Sequence, residues 1–229
     1  MHVALISVGD EILAGDTVNT NATWLGQRLS ERGVDVERVT VVPDVISEIA
    51  SVVNEYHATY DAVIITGGLG PTHDDLTMEG VAAALGREVA QSEEALAWLT
   101  EEGGYTRGDL TKGTADLPRG ARPLHNDVGV APGAVVQGIY VLPGVPSEMK
   151  AMFEDVVEQF EGEPRYVDRV YTSEPESALV PRLEALQERF DVSVGSYPGD
   201  GVRLKITGTD EQTVEAAAEW LRERVELDE

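Results

Sequence analysis

Residues 62–85 constrain the fold more than any other stretch. An apolar run, 62–65, enters a turn holding Gly67, Gly68, Gly70 and Pro71, between Thr66 and Thr72. The chain then passes two adjacent carboxylates, Asp74 and Asp75, and continues into a helical pattern over 76–85 that takes in Thr77. Strand, glycine turn and helix in that order make one step of a parallel α/β sheet. Glycines admit positive φ and let a ligand approach the backbone closely. The helix start behind them offers unpaired N–H groups and partial positive charge, which suits phosphate. Carboxylates beside phosphate repel it, so the combination calls for a divalent cation between them.

The same step repeats upstream. Residues 3–8 read as a strand, and Ala22, Leu25 and Leu29 as a helical stripe that Gly33 stops. Residues 36–42 are a second strand, followed by Ile46, Ile49, Val53 and Tyr56 on one helical face. This alternation predicts an α/β fold, a mostly parallel sheet covered on both faces in three layers. Ligands of such sheets sit beyond the carboxyl ends of the strands. Further on, a helix is expected at 92–100 and a Gly-, Asp-, Arg- and Pro-rich stretch, 103–123, reads as a mobile cover. Strands broken at Gly138 fill 135–142, and an amphipathic helix carries Met149, Met152, Phe153, Val156, Val157 and Phe160. The boundary is set at Gly162-Glu163-Pro164, giving domains 1–162 and 163–229. The second reads as βαββα, its last two strands joined by a hairpin at 198–201.

Charge narrows the function. The chain has 229 residues, 42 acidic against 17 basic, for a net charge of −25. Only Lys112, Lys150 and Lys205 are lysines, yet 42% of residues are hydrophobic. That apolar content excludes a disordered acidic chain. Self-repulsion on this scale weakens a compact state in dilute buffer, and screening lengths of about 3 Å in molar salt relieve it. A folded protein of a salty, halophilic cytoplasm is expected. Nucleic acid is a poor partner, because its binding needs basic contacts. The tail 161–229 is itself acidic, eight basic residues against seventeen, which argues against RNA there. Without cysteines there is no disulfide or thiol chemistry. No run approaches the roughly 18 apolar residues of a membrane span, and the first residues read as a strand and not as a signal peptide.

Other strand ends carry candidate residues. After the first strand come Gly9-Asp10-Glu11 and then Asn19-Thr20-Asn21. Asp10 and Glu11 are candidate metal or ligand contacts, with a plain turn and helix caps at Asn19 or Asn21 as the alternative. After the second strand, Asp44 is either a helix N-cap or a partner of Asp75 at a shared metal. Asp74 and Asp75 could likewise cap the following helix. The run 126–133, with Pro132 and Gly133, reads as a polar wall. In 142–150, Pro143, Gly144 and Pro146 shape a helix start, where Ser147 could bond phosphate and Lys150 offset its charge. His73 reads as an exposed turn residue.

Together these segments resemble the molybdopterin-binding, molybdenum-cofactor-biosynthesis domain family. The Thr66–Thr77 run is closest to its CinA-type branch, and Gly9-Asp10-Glu11-Ile12-Leu13, Asn19-Thr20-Asn21, Ala131-Pro132-Gly133 and the 142–150 run match as well. The resemblance covers 1 to about 160, and the tail is similar to the small second domain of CinA-type proteins. It implies a three-layer fold, usually in a homo-oligomer, with Asp44 and Asp75 at the positions of the family's two important aspartates. It also implies magnesium-dependent adenylylation of molybdopterin phosphate or, in the CinA-like members, hydrolysis of dinucleotide pyrophosphates such as ADP-ribose. Many CinA-type chains continue into a nicotinamide-mononucleotide deamidase domain. This sequence stops at Glu229, so that activity is not expected of it. The expected protein is a metal-dependent enzyme acting on a phosphate or pyrophosphate of a nucleotide or pterin, and the alternative is a molybdopterin carrier.

Overall fold

A computed structural model describes residues 1–227. Contacts divide them into two units, Met1–Ser30 with Val34–Gly162, and Glu31–Gly33 with the chain from Glu163 onward. In chain order the first unit runs β1 (His2–Val8), α1 (Asp10–Leu13), α2 (Thr20–Glu31), β2 (Asp35–Val42), α3 (Ile46–Thr59), β3 (Ala62–Thr66) and α4 (Thr77–Ala84). It continues with β4 (Val89–Gln91), α5 (Glu93–Glu101), β5 (Asp116–Pro118), β6 (Arg122–Leu124), β7 (Gly133–Val136), β8 (Ile139–Leu142) and α6 (Pro146–Glu154).

The period of two along a strand sets the layers. Ala4, Ile6 and Val8 of β1, with Val63 and Ile65 of β3, pack against Ile49 and Val53 of α3, Val81 of α4 and Leu99 of α5. Val3, Leu5, Ala62 and Ile64 point the other way, toward Leu25 and Leu29 of α2 and Met149 and Phe153 of α6. Both faces are covered, so β3 is buried along its whole length and reads as an unbroken apolar run. The sheet order is β2-β1-β3-β8-β7-β6. The first four strands are parallel, and β7 and β6 are antiparallel. The break expected at Gly138 is a hairpin: Gln137 and Gly138 both have positive φ, 50° and 79°, as a type I′ turn requires.

In this unit three details differ from the periodic reading. The helix expected to carry Val156, Val157 and Phe160 ends at Glu154, and Val157–Gln159 form a separate 3₁₀ turn. Ile46, in the first turn of α3, stays exposed while Ile49, Val53 and Tyr56 are buried. The stretch read as a cover holds β5, paired antiparallel with β4. Three-residue strands are too short for periodicity to reveal.

The second unit follows the expected βαββα order: β9 (Tyr166–Thr172), α7 (Glu176–Arg189), β10 (Ser193–Pro198), β11 (Val202–Gly208) and α8 (Glu211–Arg222). Its antiparallel sheet is ordered β10-β11-β9. Val202, Leu204 and Ile206 alternate inward onto Leu179 and Leu186 of α7 and Val214, Ala217 and Leu221 of α8. Asp210 caps α8 by accepting from the Thr213 N–H at 2.8 Å. Val225, expected on the α8 stripe, lies beyond the helix end.

Gly80 marks where α4 lies on α3. A Cβ added there would sit 2.4 Å from Ile49 Cγ2 and 2.7 Å from its Cβ, on a side chain stiff at χ1. Gly80→Ala should therefore lose about 1–3 kcal/mol by overpacking, although alanine gains about 1 kcal/mol in helix propensity. A urea or thermal midpoint that rises in this variant would contradict the close packing.

Candidate functional site

Because β2, β1, β3 and β8 are parallel, their carboxyl ends meet at one edge of the sheet. Two backbone bonds knit the turns that leave it: Gly9 N–H donates to Val42 O, and Gly67 N–H to Leu142 O, both at 3.1 Å. Glycine is obligatory at the turn after β3. Gly67 has φ of 100°, and a Cβ there would lie 2.3 Å from the Val8 carbonyl oxygen. Gly68 has φ of 64° and would meet Thr77 Oγ1 at 2.3 Å. Thr77, wholly buried, uses that hydroxyl to donate to Gly67 O at 2.8 Å, so it shapes the loop from behind. No hydrogen bond within the described residues takes up the N–H groups of Gly68, Leu69 and Gly70, the kind of donor that anion-binding turns use.

Neither Asp44 nor Asp75 caps the helix that follows it. The capping positions are Val45 and Leu76, and neither helix has a side-chain cap bond. Asp44 Oδ2 instead accepts the Asp10 N–H at 2.9 Å. Asp75 Oδ2 accepts from Thr72 N–H at 2.9 Å and Thr72 Oγ1 at 2.5 Å, which holds its carboxylate against the loop. Burial pushes the Asp44 carboxyl above its ordinary value; the Asp10 N–H bond opposes this, and the charges of Asp10, Glu11 and Asp74 reinforce it.

Two adjoining cavities open here, of about 690 Å³ and about 230 Å³. Gly68, Asp75 and Gly144 line both. Gly70, Pro71, Thr72, Pro132 and Pro143 line the larger one, with the apolar Leu69, Met78, Val89 and Val145. Gly9, Glu11, Asn19, Asp44, Thr66, Gly67, Asp74 and Pro146 line the smaller.

Other motif residues do different work. Asp10 contributes its N–H to Asp44, and its side chain lines neither cavity. Gly133 lies in β7, where a Cβ would strike Met152 Sδ at 2.4 Å and Val141 O at 2.5 Å. Ser147 lines neither cavity, and Lys150 Nζ sits over the Trp24 ring, 5.6 Å from its centroid. His73 is exposed, as expected.

Several residues were not singled out from the sequence. Asp109, Thr111, Lys112, Thr114 and Asp116 form one wall of the larger cavity, and Glu148 lines it too, held by Asn126 Nδ2 at 2.7 Å. Asn21, offered by the sequence as a helix cap, instead donates from Nδ2 to Gly144 O at 2.7 Å and ties that turn to α2, while its Oδ1 is buried without a partner among the described residues. The Asx turn at Asn126, whose Oδ1 accepts from Gly129 N–H, was the available signal for Glu148. For Lys112 there was only its rarity.

The donors suit a hard cation in part. They are oxygens throughout, and magnesium binds through one or two carboxylates with ligand phosphate and water completing its shell. Among the described residues no three His, Cys, Asp or Glu groups form a ready cage. Asp44 and Asp75, on the smaller cavity, are the residues that would hold such an ion together with a phosphorylated ligand.

Comparison with known proteins fits this architecture. The family model "Probable molybdopterin binding domain" matches residues 4–162, and "FAD synthase, middle domain" matches 164–229. A protein of Pyrococcus furiosus is 42% identical over 98% of this chain and 97% of its own length. A CinA-like protein of Citrifermentans bemidjiense is 39% identical over 98% of this chain, which spans 58% of that relative. A crystal structure of the protein CinA, of unknown function, from Thermoplasma acidophilum superposes with a TM-score of 0.64. It is 39% identical and covers 69% of this chain and 97% of its own. The chain belongs to the molybdopterin-binding domain family, in its CinA-type branch. No helix among the described residues is long and apolar enough to cross a membrane.

A carboxyl raised in the folded state favours the fold while protonated, and that contribution is lost as pH rises through the folded pKa. Ionised Asp44 thus weakens the fold at neutral pH. Asp44→Asn should raise the melting temperature in metal-free buffer at pH 7 by about 1–3 °C, with the gain shrinking as pH falls through the raised folded pKa and gone below about 4. Thr77→Val, which orphans the Gly67 carbonyl, should cost about 1–3 kcal/mol in a urea titration.

Proposed function

We propose that the paired cavities bind a phosphorylated nucleotide or pterin and that the protein catalyses metal-dependent cleavage or transfer at its phosphate or pyrophosphate. The observation that carries this reading is the junction at Gly68, Asp75 and Gly144, where the two cavities meet. A two-ended ligand placed across it sets its phosphates on the glycine loop. The larger cavity has the size and apolar walls of a site for a flat ring.

This chain's groups then divide the work. The Gly68, Leu69 and Gly70 N–H groups receive phosphoryl oxygens and are fixed in advance by the positive-φ turn. Asp75, its Oδ2 held by Thr72, keeps Oδ1 for a cation. Asp44 supplies a second carboxylate whose strained ionisation a cation would relieve. A bound divalent ion supplies charge neutralisation at the phosphoryl oxygens and lowers the pKa of attacking water. In hydrolysis the water oxygen bonds to phosphorus and gives up its proton to solvent, while the bridging P–O bond breaks and the leaving phosphate carries away the electron pair.

The test is incubation of the pure protein with ADP-ribose, with FAD, and with molybdopterin plus ATP. Each is run with magnesium or cobalt, with and without molar KCl. At least one pair should give product, and Asp75→Asn should lower its turnover roughly 100-fold or more without changing the circular dichroism. Tight pterin binding without product in any arm would make the protein a carrier, and unchanged turnover in Asp75→Asn would remove the metal site.

A further inference from the structure

Eight acidic residues line the two cavities, and Lys112 is the one basic residue among all those that line them. In a chain of net charge −25 with three lysines, that placement stands out. An anionic ligand entering the larger cavity meets Glu79, Asp116 and Glu148 as well as Asp75. The cation proposed at Asp44 and Asp75 serves the junction and the smaller cavity, so the larger cavity needs a positive charge of its own.

Lys112 is placed and free to supply it. Its backbone lies between closed turns: Thr106 N–H and Oγ1 donate to Asp109 Oδ2 at 2.9 and 2.6 Å. Beyond it, Thr114 Oγ1 donates to Thr111 O at 2.7 Å, and Asp116 N–H to Gly113 O at 2.8 Å. Ser92 N–H, donating to Ala115 O at 2.8 Å, and the β4–β5 pairing anchor the segment to the fold. Among the described residues the ammonium forms no ion pair or hydrogen bond. Asp109, its close acidic neighbour in the chain, has one oxygen occupied by Thr106.

We propose that Lys112 is an anion-recognition residue of the larger cavity, its ammonium pairing with a non-bridging oxygen of the ligand's phosphate or pyrophosphate. The assignment rests on the reading that these cavities take a phosphorylated ligand. A lysine is a compact point charge on a flexible four-carbon stem. It reaches an anion from a fixed turn without the planar geometry that arginine demands.

Binding of ADP-ribose and of inorganic pyrophosphate, each with magnesium, is measured by calorimetry on the full chain for wild type, Lys112→Gln and Lys112→Arg. Lys112→Gln should weaken both ligands about 10- to 100-fold, with the gap narrowing as KCl is raised. Lys112→Arg should stay within about threefold of wild type. Melting temperatures of all three should agree, since the side chain is exposed. On a turned-over substrate the loss in Lys112→Gln should fall on KM with kcat nearly kept. Equal affinities of wild type and Lys112→Gln would overturn the assignment and leave the phosphorylated-ligand reading standing. An equal loss in both variants would show that the charge is not what matters, and would overturn it too. A wild type that binds neither ligand would bring down both readings together.

Discussion

The close approach of the β1 and β3 ends governs everything built at this edge. The Val8 carbonyl comes within 2.3 Å of where a Cβ on Gly67 would be, so only glycine can follow β3. Its positive φ then turns the chain into the loop that Thr77 braces from below. With β2 and β8 in parallel register on either side, the turns carrying Asp44 and Gly144 arrive at the same place. The crowding of carboxylates is a consequence of this geometry. Four turns leave one edge, and those after β1, β2 and β3 each bring an acidic side chain with them.

That crowding explains why Asp44 and Asp75 differ although both sit one turn beyond a strand. Asp75 has its charge spread over two bonds from Thr72. Asp44 has one backbone bond and faces burial together with three like charges. A group in that state favours any partner that brings positive charge. A ligand phosphate alone would worsen it, and phosphate with a cation would relieve it.

The parallel core was legible because its signals are local. Residues 3–6 and 62–65 are continuous apolar runs, 36–42 is a strand rich in valine, and the stripes of α2 and α6 keep helical spacing. The loop motif pointed, for the same reason, to the edge where the two cavities open. What it could not separate was contact with a ligand from support of the loop. Gly133 and Thr77 belong to matching motifs, yet one is demanded by Met152 and Val141 and the other holds a carbonyl. Lys150 is drawn off by Trp24. The 109–116 wall left no periodic trace, since its position comes from the β4–β5 pairing and from turns closed by Thr and Asp side chains.

A strongly acidic surface changes what a single lysine means. On an ordinary protein an exposed lysine is one of many, and its ammonium is usually solvated. Here basic residues are outnumbered by more than two to one, and arginines such as Arg28, Arg182 and Arg222 are tied into pairs with Glu154, Glu174 and Asp168. Long-range attraction of anions is then absent, and recognition falls to short-range charge within the screening length. A chain under that constraint concentrates positive charge where an anion must finally rest. On the proposed function, the glycine loop's N–H groups, a bound cation and Lys112 would form one working set, each offsetting part of a charge that the surrounding surface repels.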